Sequence, residues 1–112
     1  MQNKTASEMA NLIIDQLIEK LENRVEDFVI YNANDDVNHK QFNIDFTAYN
    51  YYICTIGYER GSFGCWIKMG EVSISLIRSW YEEVDFDVFF IELKREIELR
   101  IPDKYLRAKG WI

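Results

Sequence analysis

The sequence has few of the residues that characterise a disulfide-rich or linker-like chain. Its 112 residues include one proline, five glycines, two cysteines and one histidine, and no apolar run approaches the roughly 20 residues that cross a bilayer. The scarcity of proline and glycine excludes a flexible linker protein. The apolar content of 48% suffices for one core, since a chain of this size buries about two thirds of its unfolded surface. We therefore expect a single soluble domain spanning residues 1–112.

The two cysteines and the amino terminus both favour a cytoplasmic protein. Cys54 and Cys65 lie in strand-like apolar runs, where a reduced thiol behaves as a small buried hydrophobe. A disulfide between them in an oxidising compartment is the alternative. Residues 1–5 lack the apolar segment and cleavage site of a signal peptide. The sequence thus predicts a cytoplasmic location, and it predicts no cofactor.

Hydrophobic periodicity predicts a long amphipathic helix near the amino terminus. Thr5 and Glu8 match the S/T-x-x-E pattern of a capping box. Apolar residues then follow at spacings of three and four: Met9, Leu12, Ile13, Leu17, Leu21, Val25 and Phe28. The helix is expected to end before residues 32–36, Asn-Ala-Asn-Asp-Asp, which favour a turn.

From residue 41 the apolar period changes to two, which predicts strands. Phe42, Ile44 and Phe46 alternate with polar residues, as in a strand with one buried face. The pattern divides this region into four strands of an antiparallel meander, in which consecutive strands pair: 41–47, 51–58, 65–69 and 72–77. The glycine-flanked residues 60–64 are assigned to the turn between the second and third of these strands.

The helical period returns after the strands. Asp85 or Asp87 suits the N-cap of a helix whose apolar side carries Phe86, Phe89, Phe90, Leu93 and Ile97. This helix is expected to stop near Arg100 because Pro102 cannot continue it, and a short terminal helix is predicted for 103–109. The order α-β-β-β-β-α-α predicts an α+β fold in which the helices pack on a four-stranded antiparallel sheet.

The supply of reactive groups favours a binding protein over an enzyme. His39 lies alone beside the acidic loop, and neither Cys54 nor Cys65 has a spacing that pairs with it. The glycines between Gly57 and Gly64 lack the Lys-Ser/Thr pair and the following helix of a phosphate loop. We predict no catalytic and no metal-binding residues. A small enzyme built on tyrosine, glutamate and His39 is the alternative, which a His39→Ala variant would test.

Negative charge is unevenly distributed along the chain. The net charge is -6, from 19 acidic and 13 basic residues. Residues 1–47 and 79–100 hold 16 acids and 7 bases, whereas the other segments hold 3 acids and 6 bases. The acidic regions therefore carry -9 and the rest +3, which places the charge on helices and loops around a nearly neutral sheet. Such an acidic chain suits neither nucleic-acid phosphates nor a membrane surface.

Carboxylates interleaved with aromatic side chains suit a surface for a basic protein partner. Aromatic anchors dominate binding energy and charges steer the encounter, although a solvated helix face accounts for many of the same charges. Not all of five tyrosines can point inward, so some are expected to face water or a partner: Tyr49, Tyr51, Tyr52, Tyr58 and Tyr81. The predicted partner-binding residues are six acids and two aromatic anchors: Asp35, Asp36, Trp80, Tyr81, Glu82, Glu83, Asp85 and Asp87.

The whole chain resembles the small acidic immunity proteins of bacterial contact-dependent and other polymorphic toxin systems. The capped first helix, the tyrosine-rich antiparallel sheet and the closing segment 101–111, Ile-Pro-Asp-Lys-Tyr-Leu-Arg-Ala-Lys-Gly-Trp, carry the likeness together with the length and charge. The resemblance implies a cytosolic protein that binds a cognate toxin domain, often a basic nuclease, and blocks its active site or an adjacent exosite. No functional residue is transferred by motif.

Two other interpretations remain alternatives. An accessory or phage-encoded protein would use the same acidic surface against another basic cytosolic partner, and gene neighbourhood would distinguish it, since an immunity gene follows a toxin-domain coding region. A structural subunit would self-associate through an open sheet edge. The expected state is a monomer or a weak homodimer.

Overall fold

The first helix begins as predicted but ends earlier. The structure is a computed structural model that describes residues 4–112; residues 1–3, part of the segment examined for a signal peptide, lie outside the described residues. Helix α1 spans Ala6–Leu21, and Thr5 and Glu8 form both hydrogen bonds of the capping box. The helix stops because Glu22 takes a left-handed φ of 57°. A single 3-10 turn, Glu22–Arg24, follows it.

The predicted continuation of the helix through Val25 and Phe28 is wrong, because both residues belong to a strand. Strand β1 spans Val25–Asn34. Positions 25 and 28 continue the helical spacing, but residues 25–31 are rich in β-branched and aromatic side chains, which fit a pleated sheet. The predicted loop also loses residues 32–34 to this strand. The sheet therefore has five strands where the sequence predicts four.

The remaining strands follow the predicted meander with shifted ends. Each strand pairs antiparallel with the next along the chain, in the order β1-β2-β3-β4-β5. The strands after β1 are β2 Gln41–Ala48, β3 Tyr52–Glu59, β4 Ser62–Met69 and β5 Val72–Trp80. The predicted turn 60–64 is too long: only Arg60 and Gly61 connect β3 to β4. Their φ values of 52° and 92° give the positive pair that a two-residue hairpin with right-handed twist requires.

One face of the sheet is covered by the helices and holds the core. Phe42, Ile44 and Phe46 are at most 1% exposed, as their alternation predicts. They join buried side chains of the other strands and of the long helices, including Ile13, Leu17, Cys54, Ile56, Phe63, Cys65, Ile67, Phe90, Leu93 and Ile97. No helix formed by residues 4–112 covers the opposite face, so this part of the chain has two layers. The α+β class predicted from the sequence is confirmed.

The carboxyl-terminal helices form close to where the sequence predicts them. Helix α2 spans Phe86–Glu98 with Asp85 as its N-cap, and α3 spans Asp103–Ala108. A 3-10 turn, Tyr81–Glu83, joins β5 to α2. No helix within residues 4–112 is long and apolar enough to cross a membrane.

Tyr49 ties the turn after β2 to both carboxyl-terminal helices. Its side chain is completely buried, and its hydroxyl donates to Glu98 Oε2 at 2.6 Å. Its carbonyl accepts from the Tyr105 hydroxyl at 2.9 Å, and its ring meets the edge of Trp111. Among the five tyrosines considered above, Tyr51 is the most exposed, at 42%. Tyr49 is therefore a core residue rather than a residue facing water.

Candidate functional site

The sheet brings the two predicted acidic segments to one end of the molecule. One row of paired residues crosses all five strands: Asn34, Gln41, Glu59, Ser62 and Trp80. We call this end of the sheet the Trp80 end. Strands lie about 4.8 Å apart, so four spacings put Asn34 roughly 19 Å from Trp80, and the loop acids Asp35 and Asp36 directly follow Asn34. Two segments distant in sequence therefore border one surface.

Trp80, Glu82 and Glu83 form an exposed group at this end. Trp80 is 57% exposed, and its ring lies over Gly61, where an added Cβ would lie 3.4 Å from Cε3. Glu82 and Glu83 are exposed in the turn that follows. Within residues 4–112, no hydrogen bond or ion pair engages either carboxylate. These three side chains are thus available to a partner.

The two loop acids are exposed but hold the local backbone in place. Asp35 Oδ1 accepts a hydrogen bond from the Ala6 N–H at 2.6 Å, which joins the loop to the start of α1. Asp36 Oδ1 accepts from the Asn38 N–H at 2.9 Å within the loop. Each carboxylate therefore has one oxygen engaged by a backbone N–H group, which limits the positions from which it can contact a partner.

The two acids at the start of α2 are also engaged within the fold. Asp85 caps the helix by accepting from the N–H groups of Asp87 and Val88, at 3.0 and 3.3 Å. The Asp87 carboxylate lies 2.5 Å from Lys20 Nζ on α1, and this contact raises the pKa of Lys20. Asp85 therefore stabilises the start of α2, and Asp87 pairs with a lysine of the helix packed against α2.

Tyr81 belongs mainly to the core. Its ring packs edge-on against Tyr58, Phe63 and Phe86, with centroid distances of 5.4, 5.4 and 5.9 Å. Burial, followed by the neighbouring Tyr58, raises the pKa of Tyr81. Of the two aromatic anchors predicted from the sequence, Trp80 is the more exposed and Tyr81 fixes the turn beneath it.

Basic side chains lie beside the acidic group. A groove of about 660 Å³ contains Lys4, Lys40 and Glu82 among apolar and aromatic side chains. Lys40 Nζ donates to the Lys4 carbonyl at 2.5 Å. Counting charge along the chain does not reveal this arrangement, because these lysines are 36 residues apart. The Trp80 end therefore presents both signs of charge, with acids at its two sides.

His39 lies at the same end but pairs with a carboxylate. Its Nε2 is 2.8 Å from Glu59 Oε2; His39 is partly buried and Glu59 is exposed. Cys54 and Cys65 are buried on the helix-covered face, and burial, followed by Cys54, raises the pKa of Cys65. A buried thiol of raised pKa is a poor nucleophile. Residues 4–112 contain no group of three acidic, histidine or cysteine side chains that could hold a metal ion.

The helix-free face contains a polar network that the sequence did not predict. Asp45 Oδ1 accepts from the hydroxyls of Tyr31 and Thr55, at 2.8 and 2.7 Å, and Oδ2 lies 2.9 Å from Lys68 Nζ. Burial acts to raise the pKa of Asp45, but the bonds from Lys68, Thr55 and Tyr31 outweigh it and lower the pKa. The network joins four strands. The sequence analysis assigned residues up to Phe28 to a helix and missed strand β1, which carries Tyr31, although the alternation around Asp45 indicated that this face is polar.

We expect an Asp45→Ala variant to be destabilised by about 2–3 kcal/mol at pH 7, because the Thr55 hydroxyl, in a residue only 1% exposed, loses its acceptor. Since folding lowers the pKa of Asp45, its ionisation stabilises the protein above the unfolded pKa near 3.8, and this contribution is lost as pH falls through the folded value. Urea unfolding of the original chain and of Asp45→Ala at pH 7 and pH 3 measures the difference in the free energy of unfolding at each pH. An equal loss in Asp45→Ala at both pH values would contradict this explanation.

A second groove, of about 490 Å³, lies on the helix-free face near β4 and β5. The Trp66 ring covers Gly57 so closely that an added Cβ there would lie 2.5 Å from Trp66 Cη2. Arg78, Ser73 and Ser75 complete the adjoining wall. The groove has a mixed polar and aromatic lining, and its two charged side chains, Glu59 and Arg78, are of opposite sign, so it is close to neutral, unlike the Trp80 end.

Comparison with known proteins identifies no relative: no family model matches the chain, and neither a curated protein nor a solved structure does.

Proposed function

We propose that this chain is a cytosolic immunity protein, which binds and neutralises a cognate toxin domain through the Trp80 end. The observation that carries the proposal is the exposed group of Trp80, Glu82 and Glu83, an aromatic side chain next to two unpaired carboxylates. Such a group combines the two elements of a specific interface, an apolar anchor and charges of one sign.

A basic partner explains this charge pattern best. The active cleft of a nuclease is basic because it must attract phosphate, and exposed carboxylates would compete for it with fast, salt-sensitive association. Asp35 and Asp36 would act from the other side of the same end, and Lys4 and Lys40 would limit which partners fit. A mixed pattern of this kind favours one cognate partner over basic proteins in general.

The test uses the coding region directly upstream of the gene for this chain. Its carboxyl-terminal domain would be expressed with and without the chain, and growth and binding of the purified domain would be measured. We expect growth arrest by the domain alone, rescue by the chain, and a one-to-one complex whose association slows at high salt. A domain that arrests growth but is neither bound nor neutralised would refute the proposal.

The same experiment separates the alternative partner class. In this alternative the chain is an accessory or phage-encoded inhibitor of another basic cytosolic protein. It would bind that protein in stoichiometric amount and would not bind the domain encoded upstream. Loss of binding in a Glu82→Lys, Glu83→Lys variant would assign that interaction to the Trp80 end as well.

A further inference from the structure

The outer edge of β5 is open to a further strand. Among the strands of residues 4–112, β5 pairs with β4 alone, and residues 72–77 contain no charged side chain and no proline. Val72 and Ile74 are 67% and 37% exposed. The backbone N–H and C=O groups along such an edge have no strand partner, so a long, uncharged edge with exposed apolar side chains pairs readily with another strand.

The other edge of the sheet, β1, is unsuited to this pairing. It carries the charges of Glu26 and Asp27, and Asp27 and Asn32 have left-handed φ values of 59° and 56°. Its register with β2 shifts twice. Charge and backbone irregularity are the features by which natural edge strands avoid association. β5 has one register shift against β4, at Leu76, and its regular part, residues 72–75, has neither charge nor irregularity.

The side chains of β5 repeat symmetrically about Ile74. Residues 72–76 read Val-Ser-Ile-Ser-Leu, so an apolar residue, a serine, Ile74, a serine and an apolar residue follow one another. In an antiparallel pair of β5 strands centred on Ile74, Val72 lies opposite Leu76 of the second copy, at the end of the regular segment, because the register shift of β5 against β4 falls at Leu76. Ser73 then lies opposite Ser75, and Ile74 opposite itself. Like side chains therefore meet along the pair.

In this register the side chains that meet across the pair lie on the same face of the sheet. Ser73 and Ser75 pair with Lys68 and Trp66 of β4 on the helix-free face, whereas Ile74 pairs with Ile67 on the helix-covered face. Residues directly opposite one another in an antiparallel pair share a face. The serines of two copies would thus meet on one side and their apolar side chains on the other.

We propose that two copies of this chain associate through antiparallel β5–β5 pairing centred on Ile74, which joins two five-stranded sheets into one of ten strands. A second copy is the occupant because the symmetric pattern matches this strand to itself. Trp80 lies six residues from Ile74, so the two Trp80 ends would be roughly 40 Å apart at about 3.3 Å per residue. The pairing is independent of the proposed immunity function and leaves both acidic groups open.

Sedimentation equilibrium of the purified chain from 1 to 200 µM tests the proposal. The mass is expected to rise from 13.4 kDa towards twice that value with increasing concentration. Two like-charge variants, Ser73→Glu with Ser75→Glu and Ser73→Lys with Ser75→Lys, place equal charges opposite each other, so each is expected to remain a monomer. They shift net charge in opposite directions, which controls for general repulsion.

Two further samples test the register. Ser73→Glu with Ser75→Lys places opposite charges across the pair and is expected to dimerise like the original chain. A mixture of the two like-charge variants is expected to form heterodimers for the same reason. Circular dichroism of each variant confirms folding. A wild-type mass of 13.4 kDa at every concentration, a dimer that survives in both like-charge variants, or a mixture that stays monomeric would each overturn the proposal.

Discussion

Replacing Glu82 and Glu83 with lysine is expected to weaken binding of the cognate partner by about 100-fold. Both carboxylates are exposed at the Trp80 end and have no ion-pair partner among residues 4–112, so reversal removes two attractive charges and places two repulsive ones against a basic surface. Close charge pairs across an interface contribute about 1.5 kcal/mol or more each, which two together convert to roughly 100-fold. Isothermal titration and stopped-flow mixing at two salt concentrations measure the affinity and the association rate.

The matched control is an Asp15→Lys, Glu26→Lys variant. Both acids are exposed and lie away from the Trp80 end, and this variant changes the net charge by the same amount. Its affinity is expected to stay within about threefold of the original chain, since distant charges are screened beyond roughly 10 Å. Equal losses in the two variants would mean that the total charge, and not this site, determines binding. Unchanged affinity in the folded Glu82, Glu83 variant would remove the site from the hypothesis.

Replacing Tyr49 with alanine is expected to lower the free energy of unfolding by about 4 kcal/mol, a large part of the stability of a small domain. The ring is completely buried, contacts Trp111 and carries the hydroxyl that donates to Glu98. Tyr49→Phe removes only that hydroxyl and is expected to cost about 1–2 kcal/mol. Urea unfolding followed by tryptophan fluorescence compares the three proteins. Equal stability of Tyr49→Ala and the original chain would contradict the assignment of Tyr49 to the core.

Measurements at alkaline pH distinguish the contribution of the Tyr49 hydroxyl to stability from that of its ring. Burial, together with Glu98, raises the pKa of Tyr49 in the folded protein above its unfolded value near 10. The unfolded chain therefore loses this proton first, so the stabilising contribution is complete below pH 10 and declines as pH rises beyond it, by up to about 1.4 kcal/mol per pH unit. The stability difference between the original chain and Tyr49→Phe should shrink between pH 9 and pH 11. A constant difference would mean that Tyr49 titrates equally in both states.

Local signals in the sequence predicted the elements that local interactions determine. The Thr5 cap, the alternation of β2 and the Asp85 cap each depend on residues within four positions of one another. The end of α1 could not be read in this way, since Val25 and Phe28 fit both a helix spacing and a strand. Pairing with β2 decides between them, and that contact spans about 20 residues. The missed fifth strand follows from this single ambiguity.

The candidate site was only partly predictable. An even number of antiparallel strands separates the loop acid Asp36 from Trp80, so the predicted meander already returns the chain to the same end of the sheet. The sequence could not show which side chains pair with each other. The contacts of Lys20 with Asp87 and of Lys40 with Lys4 form only in the folded chain. The sequence therefore located the acidic residues but did not distinguish those engaged within the fold from those left free.

The meander order has a consequence for folding kinetics. Every strand pairs with its sequence neighbour, and the β3–β4 hairpin closes through two residues, so the sheet can grow by adding one strand at a time with little loop-closure entropy. The contact of Tyr49 with Glu98 instead spans 49 residues, and we expect it to form last, when the carboxyl-terminal helices dock. Changes at Tyr49 should therefore speed unfolding far more than they slow folding.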